Sequence, residues 1–200
     1  MIIPVDTLLA WGAGYKKVAA GEIIFMEGCE GRFYHQLVSG SIRWTNINDD
    51  GREFIQAMVD PGDSFGELPL FDDGTYAASA VANKDSVILR LNKASFHQLL
   101  HEHPDSHFTF TRLLAQRLRF KFMLLNELAV RSPEHRIATL FSYFKTNKKN
   151  ICPKCQEVQL TRQQIADMTG LRVETVIRTI RGLHEKGSLR INRGKVQLAV

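Results

Sequence analysis

Two hundred residues fit one domain or two small ones, and 44% apolar with 24% charged residues is the balance of an ordinary globular chain. No apolar run approaches the roughly 18 residues of a membrane helix, and the amino terminus lacks the basic start and apolar core of a secretory signal. Three cysteines are too few for a disulfide scaffold, so a cytoplasmic protein without a membrane partner is expected. The net charge of +5 is unevenly spread. Residues 1–130 carry 12 Lys/Arg against 16 Asp/Glu, whereas residues 131–200 carry 14 against 5. A polyanionic partner is therefore expected at the carboxy-terminal third and not before it.

From Lys17 to Leu91, short apolar runs alternate with glycine-centred turns: "EIIFMEG", "RFYHQLVSG", "SIRWTNINDDG", "EFIQAMVDPG" and "SVILRL". Such spacing predicts an all-β domain of short strands. Asp50-Gly51 reads as a hairpin turn, with Gly28, Gly40, Gly62 and Gly74 at other tight corners. The stretch Asp63–Ala82, "DSFGELPLFDDGTYAASAVA", reads as a strand end, a glycine turn, a short acidic helix and a second strand. A turn of this shape could hold a ligand, yet Ala77, Ala78 and Ser79 carry no charge.

After Asn92 the period becomes helical. Asn92–Leu100 is one short helix and Pro104–Ala129 a long one, with Pro104 suited to a first turn. Thr111, Ala115, Leu118, Phe122, Leu125 and Ala129 recur at alternating spacings of four and three, the seam of a coiled coil. Leu113, Leu114, Phe120 and Leu124 widen the apolar surface to a second face. One face would cover the β domain and the other would pair with a second copy; the simpler alternative is one amphipathic helix lying on its own domain.

Ser132-Pro133-Glu134 opens another domain, whose first helix turns Ile137, Leu140, Phe141 and Phe144 inward. A turn-rich insert around "CPKC" follows. Thr161 is then a good N-cap with Gln164 three residues on, Ile165, Ala166 and Met168 form an apolar face, and Gly170 ends that helix. A second helix, about Val173–Glu185, buries Val176, Ile180 and Leu183, and "LRINRGKVQL" makes a hairpin turning at Arg193-Gly194. This order predicts a winged helix-turn-helix. The opposite side of the second helix presents Arg172, Glu174, Thr175, Arg178 and Arg181. Arg178 can bond bidentately to guanine and Glu174 can accept from cytosine N4. Thr161, Arg162 and Gln163 would meet the phosphate backbone through free N–H groups, and Arg190, Arg193 and Lys195 would hold neighbouring phosphates. No nucleophile–base pair or metal set suggests an enzyme. A dimeric protein-interaction scaffold with a vestigial DNA-binding domain is the competing class.

With "FGELPLF", "HRIATLF" and "LTRQQIADMTGLRVETVIRTI" in this order, the chain resembles, nearly end to end, the cyclic-AMP receptor and fumarate–nitrate reduction regulator family of bacterial transcription factors. The resemblance implies an α+β chain: a cyclic-nucleotide-binding-like β-barrel (a double-stranded β-helix jelly roll) over 1–103, a dimerisation helix and hinge over 104–131, and a winged helix-turn-helix over 132–200. It also implies a homodimer that reads an inverted repeat of double-stranded DNA, contacts RNA polymerase, and is controlled by an effector or redox signal at the amino-terminal domain. "GLRVETVIR" is closer to the fumarate–nitrate branch, which implies Glu174 and Arg178 as base readers and TGA-like half-sites; Ile177 departs from the usual small or polar residue between them.

In the family's cyclic-nucleotide members the turn over Phe65, Gly66, Glu67 and Leu68 binds ribose and phosphate. Glu67 matches the ribose-bonding acid, but Ala77 stands for the phosphate-binding arginine and Ala78 for the adjoining hydroxyl residue. Pro69 deletes an N–H, and the pair that meets adenine falls at Lys121 and Phe122. Cyclic AMP is thus not expected, because its anion would lack a partner. An iron–sulfur cluster is not expected either, since Cys29 stands alone where clustered cysteines are needed. The effector is unknown from the sequence. Haem on His35 or Cys29 is weighed against a merely structural histidine. Cys152 and Cys155 of "CPKC" leave three readings open: an ordinary surface hairpin, a redox dithiol, or half a zinc site. Lys149 and Lys154 would lower a thiol pKa there electrostatically.

Overall fold

The computed structural model describes residues 2–130 and 132–198, which form an α+β chain. It divides into two compact units, Met1–Arg117 and Leu118–Val200, with the division inside one long helix.

The first unit holds α1 (Val5–Ala10), β1 (Gly14–Val18), β2 (Ile23–Phe25), β3 (Phe33–Ile47), β4 (Glu53–Val59), β5 (Ser64–Phe65), α2 (Leu68–Phe71), β6 (Ser79–Asn92), α3 (Lys93–Glu102) and the start of α4 (Pro104–Val130). The strands make one antiparallel sheet in the order β1-β6-β3-β4, with β2 also on β6 and β5 on β3. Among the described residues no ladder joins β4 to β1. The expected closed barrel is therefore an open six-stranded sheet at the level of strand pairing.

Two of its strands are far longer than the punctuated sequence suggests. β3 runs for 15 residues straight through Gly40, which was expected to mark a corner. The reason is a bulge. Gly40 adopts φ +107°, the β3–β6 register shifts around Ser39 and Ser41, and a Cβ at Gly40 would sit 2.1 Å from Ser86 Oγ. Glycine thus bends the strand without ending its ladder. Asp50-Gly51 does turn β3 into β4, inside a loop closed by Asn48 and Arg52, and at the Asp72–Gly74 turn the left-handed residue is Asp73, not Gly74.

The core has two parts. Tyr34, stacked on Phe96 at 4.7 Å, joins Phe110 of α4 and Leu8 of α1. α1 escapes a reading by strand pattern, and it forms because Ile3 and Leu8 reach zero exposure here. Each such side chain contributes roughly 1.5–3 kcal/mol. Leu37, Ile42, Val59, Phe65 and Ile88 form the second part. His35 lies beside it, 3% exposed and stacked on Phe65 at 5.2 Å, as a structural histidine. Burial, with Arg90 and Lys16 adding to it, lowers its pKa from 6.5 to about 3. Unfolding frees the ring to take up a proton, so stability falls as pH drops from about 6.5 towards 3, by on the order of 2 kcal/mol at pH 5. Urea unfolding at pH 7.5 and pH 5 is expected to show this loss, and His35→Phe to flatten it. An equal acid loss in the variant would assign the effect to other groups.

The second unit holds the rest of α4, then α5 (Pro133–Asn147), α6 (Arg162–Thr169), α7 (Val173–Glu185), β7 (Leu189–Asn192) and β8 (Lys195–Leu198). Ser132 caps α5 by accepting from the His135 N–H, and Ile137, Leu140, Phe141 and Phe144 are buried as expected. His135 Nδ1 lies 2.6 Å from Glu127 Oε2, and Arg136 donates to the Leu128 carbonyl at 3.0 Å, so α5 is tied to the end of α4.

The faces of α4 separate differently from expectation. Phe110 is buried and Leu113 packs in the first unit, but Phe120 and Leu124 are buried in the second, with Phe120 stacked on Tyr143 at 4.2 Å. The second apolar face thus does not serve the β domain alone. All six positions of the expected seam are exposed, including Leu118 at 56%, Phe122 at 65% and Leu125 at 61%.

Candidate nucleic-acid interface and effector turn

The local physics of the α6–α7 pair is unusually complete. Thr161 Oγ1 accepts from the Gln164 N–H at 3.1 Å, and Gln164 Oε1 accepts from the Thr161 N–H at 2.9 Å, a reciprocal capping box. Gly170 ends α6 at φ 67°, a conformation that a side chain would strain. Ile165, Ala166 and Met168 face inward from α6, and Val176, Ile180 and Leu183 from α7.

That packing fixes which side of α7 meets solvent. Arg172, Glu174, Arg178 and Arg181 are exposed and Thr175 is half-buried. Glu174 and Arg178 are one helical turn apart on this face, and Ile177, 44% exposed, sits between them. β7 and β8 form the wing, turning through Arg193 at φ 47° and Gly194 at φ 78°. Two successive left-handed residues make a hairpin turn whose twist suits the strands.

The expected phosphate-binding groups are already partly engaged. The Thr161 N–H is consumed by the capping box and is not free for phosphate. Arg162 donates to the Gly194 carbonyl at 3.2 Å, which ties α6 to the wing turn. Gln163 donates to Asp167 Oδ1 at 2.8 Å. Lys195 lies 3.7 Å from Glu157, with the two side chains 62% and 31% exposed. Such a pair is weak in water and exchanges readily for a phosphate. Arg190 and Arg193 are exposed on the wing.

In the first unit, the turn after β5 is built from close approach. Phe65 pairs with His35, and Gly66 adopts φ +74° with Phe25 Cζ only 2.7 Å from any added Cβ. Phe25 in turn stacks on Tyr76 at 3.8 Å. Glu67 is fully buried and Leu68 is 41% exposed. Glu67 Oε2 accepts from Arg117 Nη1 at 2.6 Å, and Arg117 Nη2 donates to the Ser64 carbonyl at 2.6 Å. The guanidinium also lies 5.0 Å from the centre of the Trp44 ring. The acid of the turn thus has an internal counter-ion that sequence reasoning missed. Its signal was present: Phe110, Leu113 and Arg117 share one helical stripe, so an arginine there points inward. Glu67 Oε1 and Trp44 Nε1 remain buried without a hydrogen-bond partner among the described residues. Ala77 is exposed and Ala78 half-buried, with the Ala77 carbonyl accepting from Asn46. Lys121 and Phe122 fall in the second unit.

The insert 151–158 is a small hairpin. Ile151 bridges Val158, the Cys152 N–H donates to the Glu157 carbonyl at 2.8 Å, and the Gln156 N–H donates to the Cys152 carbonyl at 2.9 Å. The neighbouring Cys155 thiol, together with the backbone N–H groups of Cys155 and Lys154, holds the Cys152 thiol below its usual range. The Cys155 thiol is raised, chiefly by the Cys152 side chain beside it. Hydrogen bonds, rather than the charges of Lys149 and Lys154, do the lowering. Among the described residues no group of three or more His, Cys, Asp or Glu is placed to hold a metal ion. No described helix is long and apolar enough to cross a membrane.

Comparison with known proteins agrees with this division. A cyclic nucleotide-binding domain model matches residues 15–103, and a Crp-like helix-turn-helix domain model matches residues 135–199. The chain is 30% identical to the cyclic AMP receptor protein of Thermus thermophilus over 178 residues, 89% of this chain and 80% of that one. It is 28% identical to the cAMP-activated global transcriptional regulator Vfr of Pseudomonas aeruginosa over 96% of this chain and 92% of that one. Among solved structures, FixK2 of Bradyrhizobium japonicum matches with a TM-score of 0.79 at 23% identity, over 94% of this chain and 93% of that one. The two domain models, in this order and over most of the chain, establish that the protein belongs to the CRP/FNR family of DNA-binding transcription regulators.

Proposed function

We propose that the protein works as a homodimer on an inverted repeat of double-stranded DNA, with Glu174 and Arg178 reading base edges. The observation that carries this reading is the split of α7: Val176, Ile180 and Leu183 are buried while Glu174, Arg178 and Arg181 are exposed. A carboxylate turned towards phosphates is unfavourable unless it meets a donor such as cytosine N4, so Glu174 belongs on a base. Arg193 and Lys195 hold phosphates, with Arg162 and Gln163 at the start of α6. The seam of α4 is covered by a second copy, because its six exposed positions keep the four–three alternation of paired helices. Residues 1–103 act as a jelly-roll-like effector domain, 104–131 as dimerisation helix and hinge, and 132–200 as the DNA-binding domain that also meets RNA polymerase.

Several relatives bear names that tie them to cyclic AMP. For this chain cyclic AMP is not the effector. Ala77 supplies no cation, and Glu67 is already paired with Arg117. Isothermal calorimetry is expected to find no micromolar complex. A tight one would move the phosphate onto Arg117, at the cost of the Glu67 pair.

Selection of bound duplexes from a random pool tests the main reading. Enrichment of a two-fold symmetric sequence is expected, with binding that weakens steeply as salt rises. Recovery of no common sequence would favour the protein-interaction scaffold.

A further inference from the structure

The sheet that forms the wing does not end at β8. The Val158 N–H donates to the Val196 carbonyl at 2.9 Å, the Leu198 N–H donates to the Gln156 carbonyl at 3.1 Å, and Glu157 bridges Gln197. The arm after Cys155 is therefore a short third strand of the wing. Its turn, closed by the Cys152 N–H on the Glu157 carbonyl at 2.8 Å and the Gln156 N–H on the Cys152 carbonyl at 2.9 Å, holds both cysteines as free thiols three residues apart, with Cys152 half-buried and Cys155 exposed. Glu157, on that same arm, is the residue that faces Lys195. A change at the sulfurs is thus one turn of chain away from a group assigned to phosphate.

We propose that Cys152 and Cys155 form a peroxide-reactive dithiol whose closure to a disulfide is transmitted to the wing through the 156–158 strand; the consequence for DNA rests on the reading given above. The Cys152 thiolate attacks one oxygen of a hydroperoxide, forming an S–O bond as the O–O bond breaks, and the departing oxygen leaves as water or alcohol after taking a proton. The Cys155 sulfur then attacks the Cys152 sulfenic acid. An S–S bond forms, the S–O bond breaks, and the Cys155 proton leaves with the hydroxyl as water. Two thiols are oxidised and one peroxide is reduced. The roles follow from the turn and its polarity: the neighbouring Cys155 thiol and the backbone N–H groups of Cys155 and Lys154 lower Cys152 while Cys155 is raised, so Cys152 is the more readily ionised of the two thiols. A cross-link at the closed end of the hairpin restricts its open states, so the strand pairing to β8 opens less often.

The test uses the full chain, reduced with dithiothreitol, freed of it under nitrogen, and treated with one equivalent of hydrogen peroxide. Peptide mass spectrometry is expected to find Cys152 joined to Cys155 within one chain, with Cys29 still open to alkylation. Cys155→Ser is expected to trap a sulfenic acid at Cys152 that dimedone captures, and Cys152→Ser to give none at the same dose. Hydrogen exchange of the Val158 and Leu198 amides is expected to slow at least threefold on oxidation and to recover on reduction. Affinity for the enriched duplex is expected to change at least threefold and to recover likewise. Sulfinic acid or only intermolecular disulfides would overturn the dithiol, and an internal disulfide with unchanged exchange would overturn its transmission to the wing. If reduced protein selects no duplex, the DNA reading fails, while the disulfide and exchange results still decide this proposal.

Discussion

Aspartate at Leu118 or at Phe122 is expected to convert the protein from dimer to monomer. Both side chains are more than half exposed in the single chain, so neither substitution disturbs a core within the subunit. In a dimer joined along α4 each would be buried against the second copy. Losing a buried Leu or Phe removes roughly 2 kcal/mol per subunit. With two subunits, this alone raises the dissociation constant roughly a thousandfold. Desolvating a carboxylate in the seam adds to the effect. Sedimentation equilibrium is the measurement: dimeric parent, monomeric variants, and unchanged far-ultraviolet circular dichroism in all three. A monomeric parent, or variants that remain dimeric, would mean that the exposed seam serves something other than self-pairing. Asp at Phe110, by contrast, would unfold the first unit, since that ring has zero exposure inside its own chain.

The carboxy-terminal unit was legible because each of its elements is specified locally. Thr161 and Gln164 cap one helix between themselves, Gly170 needs its left-handed conformation, and the apolar period of Val176, Ile180 and Leu183 has one solution. Arg193-Gly194 likewise names its own turn. The β unit was less legible because long-range pairing decides it. Nothing in the sequence near Gly40 tells a corner from a bulge; Ser86 on the partner strand does. Strand pairing likewise left the sheet open where resemblance implied closure. Arg117 was missed for a related reason. The stripe it shares with Phe110 and Leu113 turns it inward, but nothing nearby in the sequence names its partner, which is Glu67, 50 residues earlier. The cysteine pair was visible, but not which thiol is favoured: Cys155 and the backbone N–H groups of the turn lower Cys152, and a backbone N–H carries no letter in a sequence.

Replacing Arg178 with Ala is expected to weaken binding to the inverted repeat by roughly 1–3 kcal/mol at each half-site, the worth of a bidentate guanine contact. Half-sites one helical turn apart are distant enough for the two losses to add, which predicts a drop of roughly 30-fold or more on the intact repeat. Preference at one base pair of each half-site should flatten at the same time. Arg178 is exposed, so the thermal unfolding of the variant should match the parent. Glu174→Gln keeps the side chain's size and removes its charge; it should relax the preference for cytosine while leaving overall affinity nearer the parent's. Lys195→Ala removes the proposed phosphate contact and, in the free protein, only the weak pair with Glu157. Good and poor sites should then weaken alike, and the slope of log affinity against log salt should fall by about one per subunit. Fluorescence anisotropy on matched and single-mismatch duplexes, at several salt concentrations, separates the two behaviours. Were Arg178→Ala to weaken every duplex equally while Lys195→Ala shifted base preference, the wing would be the reader and α7 the grip.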